Sequence, residues 1–240
     1  MAFALPPEAH RAVESPTRLA PSALRGRVVL LLWVLLTAVG SAQAQTDGVA
    51  LRLVQAARAQ VGVTLGYDGS YRRLDYPGGD APMETGVCTD VVVRAFRALG
   101  FDLQVAVHED MRAHFARYPQ SWGLRRPDRN IDHRRVPNLE TWLRRQGAAL
   151  GASDDPADYQ PGDIVSWRLP GDLPHIGIVS DRHIDGRPLI LHNIGAGTHE
   201  EDVLFAYRIE GHFRWLPGPV PGQSTTPRAE PNEASSRLAR

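Results

Sequence analysis

The sequence predicts an α+β fold in which N-terminal helices pack on an antiparallel β-sheet. Apolar residues recur at helical spacing in the first half, with Leu51, Val54, Ala57 and Val61 on one face. Val91, Val92, Ala95, Phe96 and Leu99 repeat the pattern further on. The second half instead carries short β-rich runs between turn signals, at Ile164–Trp167, Ile176–Val179, Leu189–His192 and Val203–Ile209. Helices first and a strand meander after is the order of an α+β fold with segregated layers.

The chain begins with a leader. Arg25 and Arg27 precede an apolar run, Val28–Gly40, and Ala42-Gln43-Ala44 has the small-x-small form of a signal-peptidase site. The run is shorter than the roughly 20 residues a membrane span needs. Residues 1–44 therefore read as an export signal cleaved after Ala44, leaving no stable membrane span; a retained N-terminal anchor is the alternative. Export implies the periplasm or cell envelope. Residues 45–217 form one domain long enough to bury an ordinary core. Residues 218–240, rich in Pro, Ser, Gly and Glu without periodicity, read as a disordered tail.

One cysteine in 240 residues cannot form an internal disulfide, so the core must hold the fold. The charges balance at 27 basic and 27 acidic residues, every basic one an arginine. With no basic excess, nothing points to nucleic acid.

In chain order, Asp47–Val61 is the first helix, and residues 62–80 are turn-rich and aromatic. A second helix opens at Cys88 and stops at Gly100. His108 to Phe115 is a short helix, and residues 118–137 form an ordered loop. Asn138 caps a helix over Leu139–Gln146, which Gly147 ends. The strands follow, and Phe213–Leu216 is placed to close the sheet.

The chemistry centres on Gly86-Val87-Cys88-Thr89-Asp90. A thiol at a helix N-terminus faces unpaired N–H groups and the positive end of the helix dipole, which favour the nucleophilic thiolate. A small buried hydrophobe is the alternative reading of Cys88. Nucleophilic catalysis also needs a base and a group to orient it. With Asp181–Gly186 as a hairpin loop, Ser180 pairs with Arg187 and His175 falls opposite His192, on one face of the ladder. That spacing permits a Cys88–His175–His192 line, with Gly177 leaving room for a neighbouring element or substrate. Each histidine alone also fits a polar strand end meeting solvent.

Zinc is a rival use of Cys88, His175, His192, His183 and His199, although no compact ligand spacing is present. In the stretch Asp128–Leu139 the adjacent Arg134 and Arg135 could grip a carboxylate. A solvated loop with internal salt bridges fits the same residues.

From Thr64 to Trp215 the chain resembles a bacterial family of domains of unknown function. The shared strings are Tyr-Pro-x-Gly-Asp at 76–80, Gly-Val-Cys-Thr-Asp at 86–90 and Asn-Ile-Asp-His-Arg-Arg-Val-Pro-Asn-Leu at 130–139. Further on come Pro-Gly-Asp-Ile-Val-x-Trp at 161–167, His-Ile-Gly-Ile-Val at 175–179 and His-Asn-Ile-Gly at 192–195. That family in turn resembles the NlpC-type papain-like cysteine peptidases of the bacterial cell wall.

The resemblance implies a papain-like fold, with Cys88 as nucleophile, His175 as base and His192 as orienting residue; Asn193 is the lesser candidate for the third role. It implies cleavage of an amide or peptide bond in peptidoglycan or its peptide fragments, with no cofactor and no metal. Tyr67, Tyr76, Asp90, His133, Arg134, Arg135 and Asn193 are the candidate substrate contacts. The chain departs from the peptidases in having Val87-Cys88-Thr89-Asp90 at the nucleophile and a long interval from Cys88 to His175. A non-catalytic protein that binds the wall or a peptide on the same fold is the alternative function.

Overall fold

The computed structural model describes residues 45–218. The predicted export signal and the tail from residue 219 lie outside the described residues.

The fold is α+β. Helix α1 (residues 45–58) buries Leu53, Val54 and Ala57 and ends before the predicted Val61, which is exposed. Two short parallel strands follow, β1 (Gly66–Tyr67) and β2 (Thr85–Gly86), paired Gly66 with Thr85 and Tyr67 with Gly86. Helix α2 (Cys88–Ala98) is buried at every position from Cys88 to Phe96. Its C-terminal stop is Gly100, in the left-handed region at φ +84°.

Helix α3 (Leu103–His114) starts earlier than the predicted His108, because the Asp102 side chain accepts a hydrogen bond from the Gln104 N–H and caps it. A 3-10 turn at Asp132–Arg134 leads into α4 (Val136–Arg145). Pro137 occupies the first turn, where no backbone N–H is needed. Asn138 is therefore not the cap; it is fully buried and donates to the Asp132 carbonyl.

The sheet is antiparallel and contains β3 (Ala149–Leu150), β4 (Ile164–Leu169), β5 (Leu173–Ile184), β6 (Arg187–Asn193), β7 (Thr198–Glu201) and β8 (Arg208–Phe213). Its order is β3-β8-β4-β5-β6-β7, so β4 to β7 form a meander and β8 returns to lie between β3 and β4. The predicted strand Val203–Ile209 is not one strand. Its first part turns so that Leu204 plugs the outer face, where the Leu204 carbonyl accepts from the Trp167 indole N–H at 2.9 Å. Beyond β8, Trp215 leaves the sheet and packs on Phe96, Phe101 and Trp142, with ring centroids 4.8–5.7 Å away.

The predicted hairpin loop Asp181–Gly186 is also corrected. β5 continues to Ile184, and the turn is the two residues Asp185 and Gly186, both at positive φ. Ile184 pairs with Arg187, and after an irregularity between Val179 and His183 the partners are Val179 with Ile190 and Ile178 with Leu191. Extending that register places Gly177, rather than His175, beside His192. A Cβ on Gly177 would lie 2.7 Å from Ile190 Cγ2 and 3.1 Å from His192 Cβ, so the room it leaves is filled by β6. His175 stands two residues from Gly177, so it keeps the same face as His192.

Alternation divides the core. Ile176, Ile178 and Leu191 face the helices and join Val91, Val92, Ala95 and Phe96. Val165, Trp167, Val179 and Ile190 form a second cluster with Tyr159 and Leu204. Among the described residues no helix is long and apolar enough to cross a membrane.

Candidate functional site

A cleft of about 580 Å³ opens where β4 ends, β5 begins and β6 ends. Cys88, Tyr67 and His175 line it. Cys88 reaches it because the helix begins there and packs on β5 and β6. Val87 has no side-chain acceptor, so the helix start is secured from within: Asp90, one turn on, accepts from the Val87 N–H at 2.7 Å. The thiol's polar neighbours are the Tyr67 hydroxyl and the backbone N–H groups of Ile176 and Thr89.

His175 Nε2 lies 2.8 Å from His192 Nδ1, and His192 Nε2 lies 3.1 Å from Glu201 Oε2. An ionised Glu201 can only accept, so His192 carries its proton on Nε2 and its Nδ1 is an acceptor. His175 must then donate from Nε2, which leaves the lone pair on its Nδ1. The arrangement holds the His175 imidazole in one tautomer through two further groups.

Burial governs the charges. It pushes the Cys88 thiol up to about 12, with the Asp90 carboxylate adding to the effect and the Ile176 and Thr89 N–H groups opposing it. The helix start favours the thiolate, and desolvation of the buried thiol works against it. Burial likewise lowers His175 to about 3, with the neighbouring His192 adding to it, and lowers His192 against the pull of Glu201.

Residues 54–215 match the family described as Domain of unknown function (DUF1287). The chain belongs to this family. The uncharacterized protein YijF of Escherichia coli (strain K12) is 58% identical over 175 residues, which cover 72% of this chain and 84% of that protein. Among solved structures, NlpC1 from Trichomonas vaginalis aligns with a TM-score of 0.37 and 14% identity, over 70% of this chain and 45% of that one.

The strings this DUF1287 domain carries are placed unevenly around the cleft. Cys88, Tyr67 and His175 line it, while His192 is fully buried behind His175. Asp90 and Arg134 pair with each other, and Arg134 also lines the cleft, whereas Asp90 is not among its lining residues. Arg134 Nε and Nη2 donate to the two Asp90 oxygens at 3.0 and 2.9 Å, and Arg134 also holds the carbonyls of Asp68 and Ser70. Asn193 is buried and donates to the carbonyls of Gly66 and Gly86, so it ties β1 and β2 to the end of β6.

Tyr76 bonds Glu109 and packs edge-on against His108, and it is not among the cleft residues. His133 is buried, with Nδ1 unpartnered. Arg135 does line the cleft. Among the described residues no group of three or more His, Cys, Asp and Glu is placed to hold a metal ion.

Two residues passed unnoticed in the sequence. Glu201 sits on β7, whose Thr-His-Glu-Glu run has none of the apolar alternation that marks a strand. Arg94, on α2, is buried and donates to Asp80, Thr64 and the carbonyls of Ala81, Pro82 and Thr85. It fixes the loop that delivers Cys88.

The buried imidazoles set a pH dependence. His133 is lowered by burial to about 4 and His175 to about 3, against an ordinary value of 6.5. Between 6.5 and about 4 the unfolded chain takes up protons that the folded chain refuses. Their stabilising effect is therefore complete above pH 6.5 and is lost as pH falls through those depressed values. The urea midpoint is expected to drop between pH 7 and pH 5. A constant or rising midpoint over that interval would contradict buried neutral imidazoles.

Proposed function

We propose that this protein is an exported cysteine hydrolase that cleaves an amide or peptide bond in peptidoglycan stem peptides. The observation that supports it is the hydrogen-bonded line from His175 through His192 to Glu201, ending at the cleft that holds the only cysteine.

In this reading His175 Nδ1 takes the thiol proton as Sγ attacks the scissile carbonyl. Burial penalises thiolate and imidazolium separately, but formed together they offset each other's charge. The tetrahedral oxyanion is received by N–H groups at the start of α2 and by the Tyr67 hydroxyl beside the thiol. His175 returns the proton to the leaving amine, and water hydrolyses the thioester by the reverse sequence. His192 and Glu201 act through His175 by holding its tautomer. No step requires a metal or cofactor.

The purified protein, incubated with peptidoglycan sacculi and isolated muropeptides, is expected to release fragments detected by mass spectrometry. Cys88→Ala is expected to release none, and the mass of the products names the bond. Absence of products with the wild-type protein would sink the hydrolase.

The protonated, buried thiol favours a second reading, a non-catalytic protein that binds the wall or a peptide in the same cleft. It predicts that Cys88→Ala binds muropeptides as tightly as wild type while neither cleaves them.

A further inference from the structure

The stretch Asn130–Leu139 spends nearly all its polar groups inside the protein. Asn130 Oδ1 accepts from the Leu74 N–H, Asp132 holds His108, Arg134 grips Asp90, and Asn138 donates to Asp132. Asp132 Oδ1, His133 Nδ1 and Asn138 Oδ1 are buried without a partner, as is Nη1 of Arg135, and of these four residues Arg135 alone lines the cleft. Its guanidinium lies 4.6 Å from the centre of the exposed Trp122 ring. Asp128 is close enough to feel the charge, but its oxygens already serve Tyr71 and Asn130.

Both Arg135 and Trp122 line the cleft of Cys88 and His175, and no Asp or Glu lines that cleft. A desolvated cationic donor without an acceptor is costly, and a guanidinium fork matches the two oxygens of a carboxylate. Arg134 cannot compete for such a ligand, because Asp90 neutralises it.

We propose that Arg135, walled by Trp122, is a subsite for a carboxylate carried by the substrate. The inference rests on the reading of this cleft as the substrate site. It narrows the substrate class to peptides with a free carboxylate near the cleaved bond and disfavours their amidated forms. Trp122 excludes water from one face of the guanidinium, which strengthens the ion pair in the cleft.

The test has two arms. In the first, Cys88→Ala protein is titrated with acetate and, separately, with acetamide and with chloride, following the Arg135 Nε–H resonance by NMR. Acetate alone is expected to shift it saturably; equal shifts with acetamide or chloride, or no saturable shift, would overturn the subsite.

In the second, wild type and Arg135→Gln are assayed on a free-acid muropeptide and its amidated twin, with folding checked by circular dichroism. Wild type is expected to prefer the acid, and Arg135→Gln to raise KM for the acid about 10- to 100-fold with kcat nearly unchanged, removing the preference. Equal cleavage of acid and amide by wild type, or a preference that survives Arg135→Gln, would overturn it. Saturable acetate binding with no muropeptide cleavage would keep the carboxylate subsite and reject the wall hydrolase.

Discussion

Replacing Arg134 with methionine is expected to lower the free energy of unfolding by about 3–5 kcal/mol. The side chains of Arg134 and Asp90 are 1% and 3% exposed, so each charge depends on the other for its solvation. Methionine leaves the Asp90 carboxylate with one donor, the Val87 N–H, in a place water cannot reach. The carbonyls of Asp68 and Ser70 lose their donor as well.

Urea denaturation of wild type and Arg134→Met would measure the loss. The double variant Asp90→Leu with Arg134→Met is expected to lose much less than the sum of the singles, because it leaves no unpaired charge. A loss below about 1 kcal/mol for Arg134→Met would mean that the pair is no better than a surface bridge. The pair also anchors the loop beside Tyr67 to the helix that starts at Cys88, so its loss is felt at the cleft.

His175→Ala is expected to lower kcat on muropeptides about 10²- to 10⁴-fold, with KM nearly unchanged. Burial pushes the Cys88 thiol up to about 12, so little of it ionises unaided at neutral pH. In the proposed mechanism the imidazole removes the thiol proton during attack. His192→Ala is expected to lose less, because His192 acts through His175 and water can replace part of its hydrogen bond. Steady-state kinetics of both variants, with near-native circular dichroism, would separate the roles. A His175→Ala enzyme within about threefold of wild type would remove His175 from the chemistry.

The helix that begins at Cys88 was legible in the sequence because its apolar face repeats at 3.6 residues and Gly100 ends it. The strands that carry His175 and His192 were legible as β-rich runs. Their shared face survived an incorrect hairpin loop, because the displacement of two residues preserves the alternation of side chains. β7 was not legible, since its strand character comes from pairing with β6 rather than from its own residues. Glu201 went unnoticed with it.

The sequence by itself determined the layers, the placing of Cys88 at a helix start, and the two histidines on neighbouring strands. These follow from periodicity, which is local. Only the tertiary structure decided how the polar residues are used. Asp90, Arg134, Arg135 and Asn193 have the same chemistry in any sequence string. What separates them is which acceptor or donor the folded chain brings within about 3 Å. Both Arg134 and Arg135 line the cleft, but Arg134 meets Asp90 across 44 positions of sequence, while Nη1 of Arg135 has no acceptor. Burial also works against charge at the site, because it pushes up a thiol that the helix start alone would favour as thiolate.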